Sequence, residues 1–240
     1  MLFSLTRLIG QNQSDSSEAV FFIRFDYAHF LAAGDFEKRY SNTNSVGGAF
    51  GYKTASNFTF NFSAGANFSR DVKSDGLLSD IINSVGDVTD EDGELVKLTY
   101  EQRGLNLFLS GAKVFNLLSA NANSGLVTEF GIGYFQHRIK VDYRDGEVFQ
   151  LSDEMLKGYD RLHTGLAIRQ FIGYQYFGPK NLLNFYLGLE FQQAFTVNRR
   201  GFNYDTKEFD TSQKTDLLYG LRFGWIIPIK KRSSEEFYYY

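Results

Sequence analysis

Three histidines, His29, His137 and His163, are the side chains of this 240-residue chain suited to general-base work near neutrality. The chain has no cysteine, which removes thiol catalysis, disulfide frameworks and cysteine-rich zinc sites together. On a strand, a serine two residues from a histidine would leave the same face as it, and an acid would have to orient the base. His29 is followed by Phe30 and Leu31, His137 by Arg138 and Ile139, and His163 by Thr164 and Gly165. None supplies the serine, so the chain reads as a non-enzyme. Asp87, Asp90, Glu91, Asp92 and Glu94 surround Gly93, and clustered acidic oxygens can hold calcium. The EF-hand spacing is absent, and eight acids against three bases over 70–97 read better as a solvated face. Phosphate loops, nucleotide motifs and metal-ligand clusters are missing, so no cofactor is expected. Net charge is −3 and no basic stripe interleaves with aromatics, which argues against a nucleic-acid partner.

Six other charges share a setting. Arg24, Asp26, Glu129, Arg169, Glu190 and Arg222 each fall on the small-residue face of an alternating segment. Asn57 to Ser69 shows the alternation best: Phe58, Phe60, Phe62, Ala64, Ala66 and Phe68 point one way, and polar or small residues point the other. Strict period two over this length is a strand with one apolar and one polar face.

Eight such strands are expected, at about 19–31, 44–53, 57–69, 98–115, 125–141, 163–177, 182–197 and 214–229. The fifth loses parity near Tyr134–Phe135, which a β-bulge or a strand leaving the bilayer would explain. The sixth carries Gln170 on its apolar face and Phe171 on its polar face. Short connections at 53–57, 116–124 and 178–181 alternate with long ones at 32–43, 70–97, 142–162 and 198–213. An up-and-down barrel then places every long loop at one end, and the short turns and both termini at the other.

The polar face decides which side is inside. It holds Gly47, Gly51, Gly65, Gly131, Gly133, Gly173, Gly188, Gly220 and Gly224. A water-facing surface gains nothing from glycine, whereas the interior of an eight-stranded barrel has room for few large side chains. The Phe-, Leu- and Tyr-rich face is therefore outside, where lipid would cover it. Mean hydropathy is only −0.29, as suits a barrel in which alternate residues meet lipid. Tyr27, Tyr52, Tyr134, Tyr174, Tyr176 and Trp225 suit headgroup-level girdles. The six interior charges, three of each sign, should pair, either as a structural salt-bridge plug or as a gated ion path.

In the last strand Gly220, Phe223 and Trp225 match the spacing of the signal by which assembly machinery recognises the final strand of outer-membrane barrels. The stretch 19–229 resembles the small eight-stranded OmpA/OmpX-like outer-membrane barrels, in the style common among Bacteroidota. The resemblance implies an all-β, eight-stranded antiparallel up-and-down transmembrane barrel in the outer membrane of a Gram-negative bacterium, with both termini periplasmic. It implies contact with outer-membrane lipid and lipopolysaccharide, and with the barrel-assembly machinery during insertion. Some eight-stranded barrels modify lipid A, but no spacing here supports a deacylase-like or palmitoyltransferase-like site. The chain is too short to carry the peptidoglycan-binding domain of the longer relatives.

Residues 1–18 read as a signal remnant or a disordered leader, 19–229 as the barrel and 230–240 as a periplasmic aromatic tail. Phe237, Tyr238, Tyr239 and Tyr240 follow a charged spacer and could dock on an envelope partner or touch the inner headgroups. In loop 70–97 the segment Leu77 to Ile82 suggests a short amphipathic helix on the rim. The expected role is structural or interactive: membrane stabilisation, surface binding or a subunit of an envelope complex. A narrow channel or transporter for small or hydrophobic solutes is the alternative.

Overall fold

The computed structural model describes residues 17–73, 76–143, 148, 151–178 and 183–229. Eight long strands dominate: β1 (Val20–Gly34), β2 (Asn42–Lys53), β3 (Phe58–Ser69), β4 (Leu95–Phe115), β5 (Gly125–Tyr143), β6 (His163–Phe177), β7 (Asn184–Asn198) and β8 (Gln213–Ile229). Each pairs antiparallel with the next, and β8 pairs back on β1, so the sheet closes. It is an eight-stranded antiparallel up-and-down barrel. The leader over 1–16 and the tail over 230–240, Phe237 to Tyr240 included, lie outside the described residues.

The register sets the size of the barrel. Direct partners run from Arg24 to Ala49, Ser63, Phe108, Gly133, Ala167, Ala194 and Asp216, and return to β1 at Gly34, ten residues above the start. With ordinary strand spacings, that stagger tilts the strands by about 40° and gives a Cα cylinder of about 8 Å radius. So narrow a cylinder is filled by side chains.

Alternation is unbroken along every long strand, and on β5 this corrects one of the two readings of its parity change, the bulge. Its inward positions are odd throughout, from Val127 and Glu129 to Phe135, His137, Ile139 and Val141. There is no bulge at Tyr134–Phe135. What changes there is chemistry: below, the outward residues include Leu126, Phe130, Ile132 and Tyr134; above, they are Gln136, Arg138, Lys140 and Asp142. β4 switches at the same level, from outward Leu105 to Leu109 below to Arg103, Glu101, Thr99 and Lys97 above. The apolar belt on β4 runs from Leu105 to Phe115, a height of about 25 Å at this tilt, which matches the apolar band of an outer-membrane barrel.

Inside, two apolar cores flank a polar waist. Near the short turns, Phe22, Val114, Val127, Phe171, Phe177, Tyr186 and Ile226 pack together, with Phe171 stacked on Tyr186 at 4.0 Å. Phe171 is therefore a core residue of the interior, and Gln170 stays outward. At the long-loop end a second core joins Phe36, Tyr40, Phe135, Ile139 and Val141 to loop residues Leu77, Leu78, Val88, Leu151 and Tyr159. We call this end the cap.

The loops differ from expectation in two places. The first connection is short, since β1 runs to Gly34 and β2 starts at Asn42, and it holds one 3-10 turn at Phe36–Lys38. Leu77 to Ile82 forms hydrogen-bonded turns, not an amphipathic helix. Leu78 sits at φ 60°, which breaks a right-handed helix, and its side chain is wholly buried in the cap.

Candidate functional site

Alternation carries Arg24 and Asp26 inward on β1, Glu129 on β5, Arg169 on β6, Glu190 on β7 and Arg222 on β8, and all six are buried. They form one chain of alternating sign. Arg169 lies 2.7 Å from Glu129, Glu129 3.6 Å from Arg24, Arg24 2.8 Å from Asp26, Asp26 3.7 Å from Arg222, and Arg222 contacts Glu190. The Arg24–Asp26 contact is a close ion pair between neighbouring inward positions of β1. Neutral groups complete the set. The Tyr186 hydroxyl donates to Glu129 at 3.0 Å, Arg169 donates to Ser110 Oγ at 2.6 Å, and Gln192 donates to Glu190 at 2.6 Å. Arg24 also lies 4.2 Å over the Tyr186 ring and Arg169 4.6 Å over Phe108. Each cation has an anion within 4 Å and an aromatic face nearby, the arrangement that lets charges stay ionised away from water.

Sequence reasoning missed a second polar cluster, beneath the cap. His137 and His163 are direct cross-strand partners with rings stacked at 5.3 Å. His137 Nε2 lies 3.0 Å from Asp216 Oδ2, and the Thr196 hydroxyl donates to the same oxygen at 2.6 Å. Arg39 reaches Asp216 at 3.3 Å and His163 at 2.8 Å. The signal was the β5–β6 register, which places one histidine opposite the other. His137, Thr196 and Asp216 are fully buried, and the second nitrogen of His137 faces the Tyr40 hydroxyl at 3.4 Å. Thr196 bonds the carboxylate and not the imidazole, so the trio lacks the nucleophile–base contact of a hydrolytic site. His29 stands apart on the outer face, 2.9 Å from Asn44, which also accepts from the Tyr27 hydroxyl.

A third cluster lies at the short-turn end. Lys53 points inward and is buried, donating to Ser17 Oγ at 2.6 Å and Asn123 Oδ1 at 2.8 Å. Asn57, at φ 64° in the β2–β3 turn, donates to Asn116 and to the Ala122 carbonyl. Lys53 continues the inward parity of Ser45, Gly47, Ala49 and Gly51 and closes the expected strand 44–53, so its burial was readable from parity.

The remaining predicted residues are accounted for singly. Gly220 sits on β8 opposite Phe30 of β1, and Phe223 and Trp225 project outward into the apolar belt. In the acidic loop, Asp90 accepts the backbone N–H groups of Asp92 and Glu94 at 3.0 and 2.8 Å, so it builds a turn. Among the described residues no group of three His, Asp or Glu side chains is placed to hold a metal ion. Near the rim, Asp35 accepts from Lys38 at 2.7 Å and from the Thr215 N–H at 2.8 Å. The Lys38 hydrogen bond, with that of Thr215, holds the Asp35 carboxyl below its ordinary value.

No protein-family model and no curated protein matches the chain. Among solved structures, Ail, the attachment invasion locus protein of Yersinia pestis, superposes at TM-score 0.39 with 10% identity, covering 87% of this chain and 99% of that one. Ail in complex with the heparin analogue sucrose octasulfate gives the same TM-score and coverage at 9% identity. At that level of likeness nothing about ligand or role passes to this chain.

Proposed function

We propose that this chain is an outer-membrane barrel of a Gram-negative cell, closed to solute, that serves a structural or interaction role by holding a folded cap above the outer leaflet. One observation carries the reading: the outer face of β4 and β5 changes from apolar to charged at one level, past Leu105 on β4 and Tyr134 on β5, while the inner face stays buried on both sides of it. A strand pair in a single medium has no reason to do this. One that passes from lipid into water does, because the face that must be apolar is the one turned away from water.

The lumen supports a closed barrel. Its six charges are engaged with one another, and Lys53 with Ser17 and Asn123 covers the lower mouth. The cap supports the interaction role. It presents the hairpin Phe202–Asn203 and Glu208–Phe209, whose Phe209 is 80% exposed. It also presents a cleft of about 790 Å³ beside β4, lined by Arg70, Glu94, Lys97 and Glu101 among others. Lipid and lipopolysaccharide are the standing contacts of the belt, the assembly machinery would read Gly220, Phe223 and Trp225, and the aromatic tail is offered to an envelope partner.

Two measurements test this. Chain reconstituted in planar bilayers should give no steady single-channel conductance, and protease added outside intact cells should cut only in the cap. Steady conductance would replace the closed barrel with the narrow-channel reading. A native-mass comparison with and without residues 233–240 tests the tail: a complex that collapses on deletion supports a partner, and a monomer in both removes it.

A further inference from the structure

Among the glycines on the long strands, one has no close neighbour where a Cβ would stand. At Gly133 and Gly220 an added Cβ would lie 1.9 Å from a neighbouring strand's carbonyl oxygen, so close approach of the backbone requires glycine there. Gly111 faces outward in the belt of β4, and a Cβ there would meet only the Phe60 ring, at 3.9 Å. Among the described residues nothing excludes a larger side chain, and an outward position in the belt is otherwise mostly filled by an apolar one.

The register turns this gap into a slot. Phe60 of β3 and Phe130 of β5 are the direct partners of Gly111, so two rings flank a bare stretch of backbone. The slot continues past Leu109, Phe62 and Ile132 as a groove of about 580 Å³. At its other end three polar side chains interrupt the belt. Lys113 and Thr128 are direct partners one row nearer the short turns, and Gln170, opposite Phe130, is diagonal to Thr128. Among the described residues Lys113 contacts no carboxylate; its ammonium donates to the Ser56 carbonyl at 2.6 Å and lies 4.0 Å over the Phe58 ring. A lysine held at the edge of an apolar belt beside a hydroxyl and an amide presents donors to an anion at headgroup depth.

We propose that this face is a binding site for one glycerophospholipid of the inner leaflet, with an acyl chain in the Gly111 slot and its phosphate on Lys113 and Thr128. The site rests on the membrane reading above. Its position fixes the leaflet, because Lys113 lies two residues from the short-turn end of β4. It also absorbs Gln170, whose place on the apolar face the barrel itself does not explain.

The test uses the full chain folded in mild detergent, with phosphatidylglycerol added and bound lipid counted by native mass spectrometry. Wild type should retain one lipid as detergent is stripped. Gly111→Leu, which fills the slot without meeting the backbone, should abolish that retention, and Lys113→Gln should weaken it about tenfold. Lys140→Gln, a charge change on the outward face above the belt, should leave it unchanged. Heat-modifiable gel mobility checks that each variant is a folded barrel. Retention unchanged in folded Gly111→Leu and Lys113→Gln would overturn the site, as would a wild-type dimer that carries no lipid. A wild-type chain that fails to insert into phospholipid vesicles would overturn the membrane reading and the site with it. Insertion with unselective retention removes the site alone.

Discussion

The waist of the barrel and its cap are built from the same strands with the same parity, yet they invert each other's chemistry. On β5, Glu129 and Ile139 both point inward and are both buried. Glu129 meets Arg24, Arg169 and the Tyr186 hydroxyl. Ile139 belongs to the core of Phe36, Leu77, Leu78 and Tyr40. Backbone geometry cannot account for the difference, since the register passes through both levels without a bulge. The surroundings can. At the waist, on the proposed membrane reading, the apolar surface faces outward to lipid, and the interior is held by ion pairs and small residues. In the cap the outer face is charged, so the hydrophobic effect is available inside and the loops fold down to supply it.

The comparison is broken most severely at the waist. Glu129→Ala leaves Arg24 and Arg169 without the carboxylate between them, and stranding buried charges in this way costs about 3–5 kcal/mol. Denaturant unfolding from lipid vesicles, followed through the single tryptophan, Trp225, should show the loss. Glu190→Leu combined with Arg222→Met removes both ends of one pair and should recover much of the stability that either change alone forfeits. A double variant as unstable as the two losses added would mean that Glu190 and Arg222 act independently of each other.

The next largest effect concerns the outer face. Ile132→Arg puts a charge on the apolar belt and should cost about 2–4 kcal/mol if that level is buried in lipid. Arg138→Ile, six residues along the same face, should change barrel stability by no more than a surface substitution, within about 0.5 kcal/mol. The asymmetry between the two is what matters. Equal effects would place both residues in one medium and would remove the boundary drawn between Tyr134 and Gln136.

Much of the barrel was legible because its signals are local. Period two gave eight strands, and the small residues of Gly47, Gly65 and Gly188 identified the inside. The charge positions followed from parity alone. Of the two readings of the β5 parity change, the bulge fails and the strand leaving the bilayer stands: on the proposed membrane reading such a strand changes the character of its outer face, and in one dimension that change looks like a register slip. The partners of each charge were beyond reach, because Arg24 meets Glu129 only through closure and stagger of the whole sheet. The same holds for His137 and Asp216, which lie 79 residues apart on β5 and β8. Leu77 and Leu78 looked like a rim helix because the sequence shows their apolarity but not the cap core that receives them.

In the cap, a small change should register locally. Ile139→Val removes one methylene from a packed site and should cost about 0.5–1.5 kcal/mol. Hydrogen exchange should quicken at the cap amides that pack with it and stay unchanged at the waist. Faster exchange throughout the strands would mean that cap and waist unfold as one unit.

The smallest effect comes from an ion pair that either region would recognise as marginal. Asp35 accepts from the largely exposed Lys38 and from the Thr215 N–H, which ties the first connection to β8. Its carboxyl titrates below its ordinary value in the folded protein, so it contributes stability at pH above the unfolded value and loses it as pH falls through the folded one. Asp35→Asn should therefore speed exchange of the Thr215 amide at neutral pH. In acid, where Asp35 is itself protonated, variant and wild type should converge. Added salt should weaken the Lys38 contribution in wild type, because the ammonium is exposed to solvent. The waist should be indifferent to the same salt, since its charges are shielded by lipid and protein. A waist that loses stability with salt as the Asp35 contact does would show solvent reaching the ion-pair chain, and the closed lumen would have to be abandoned.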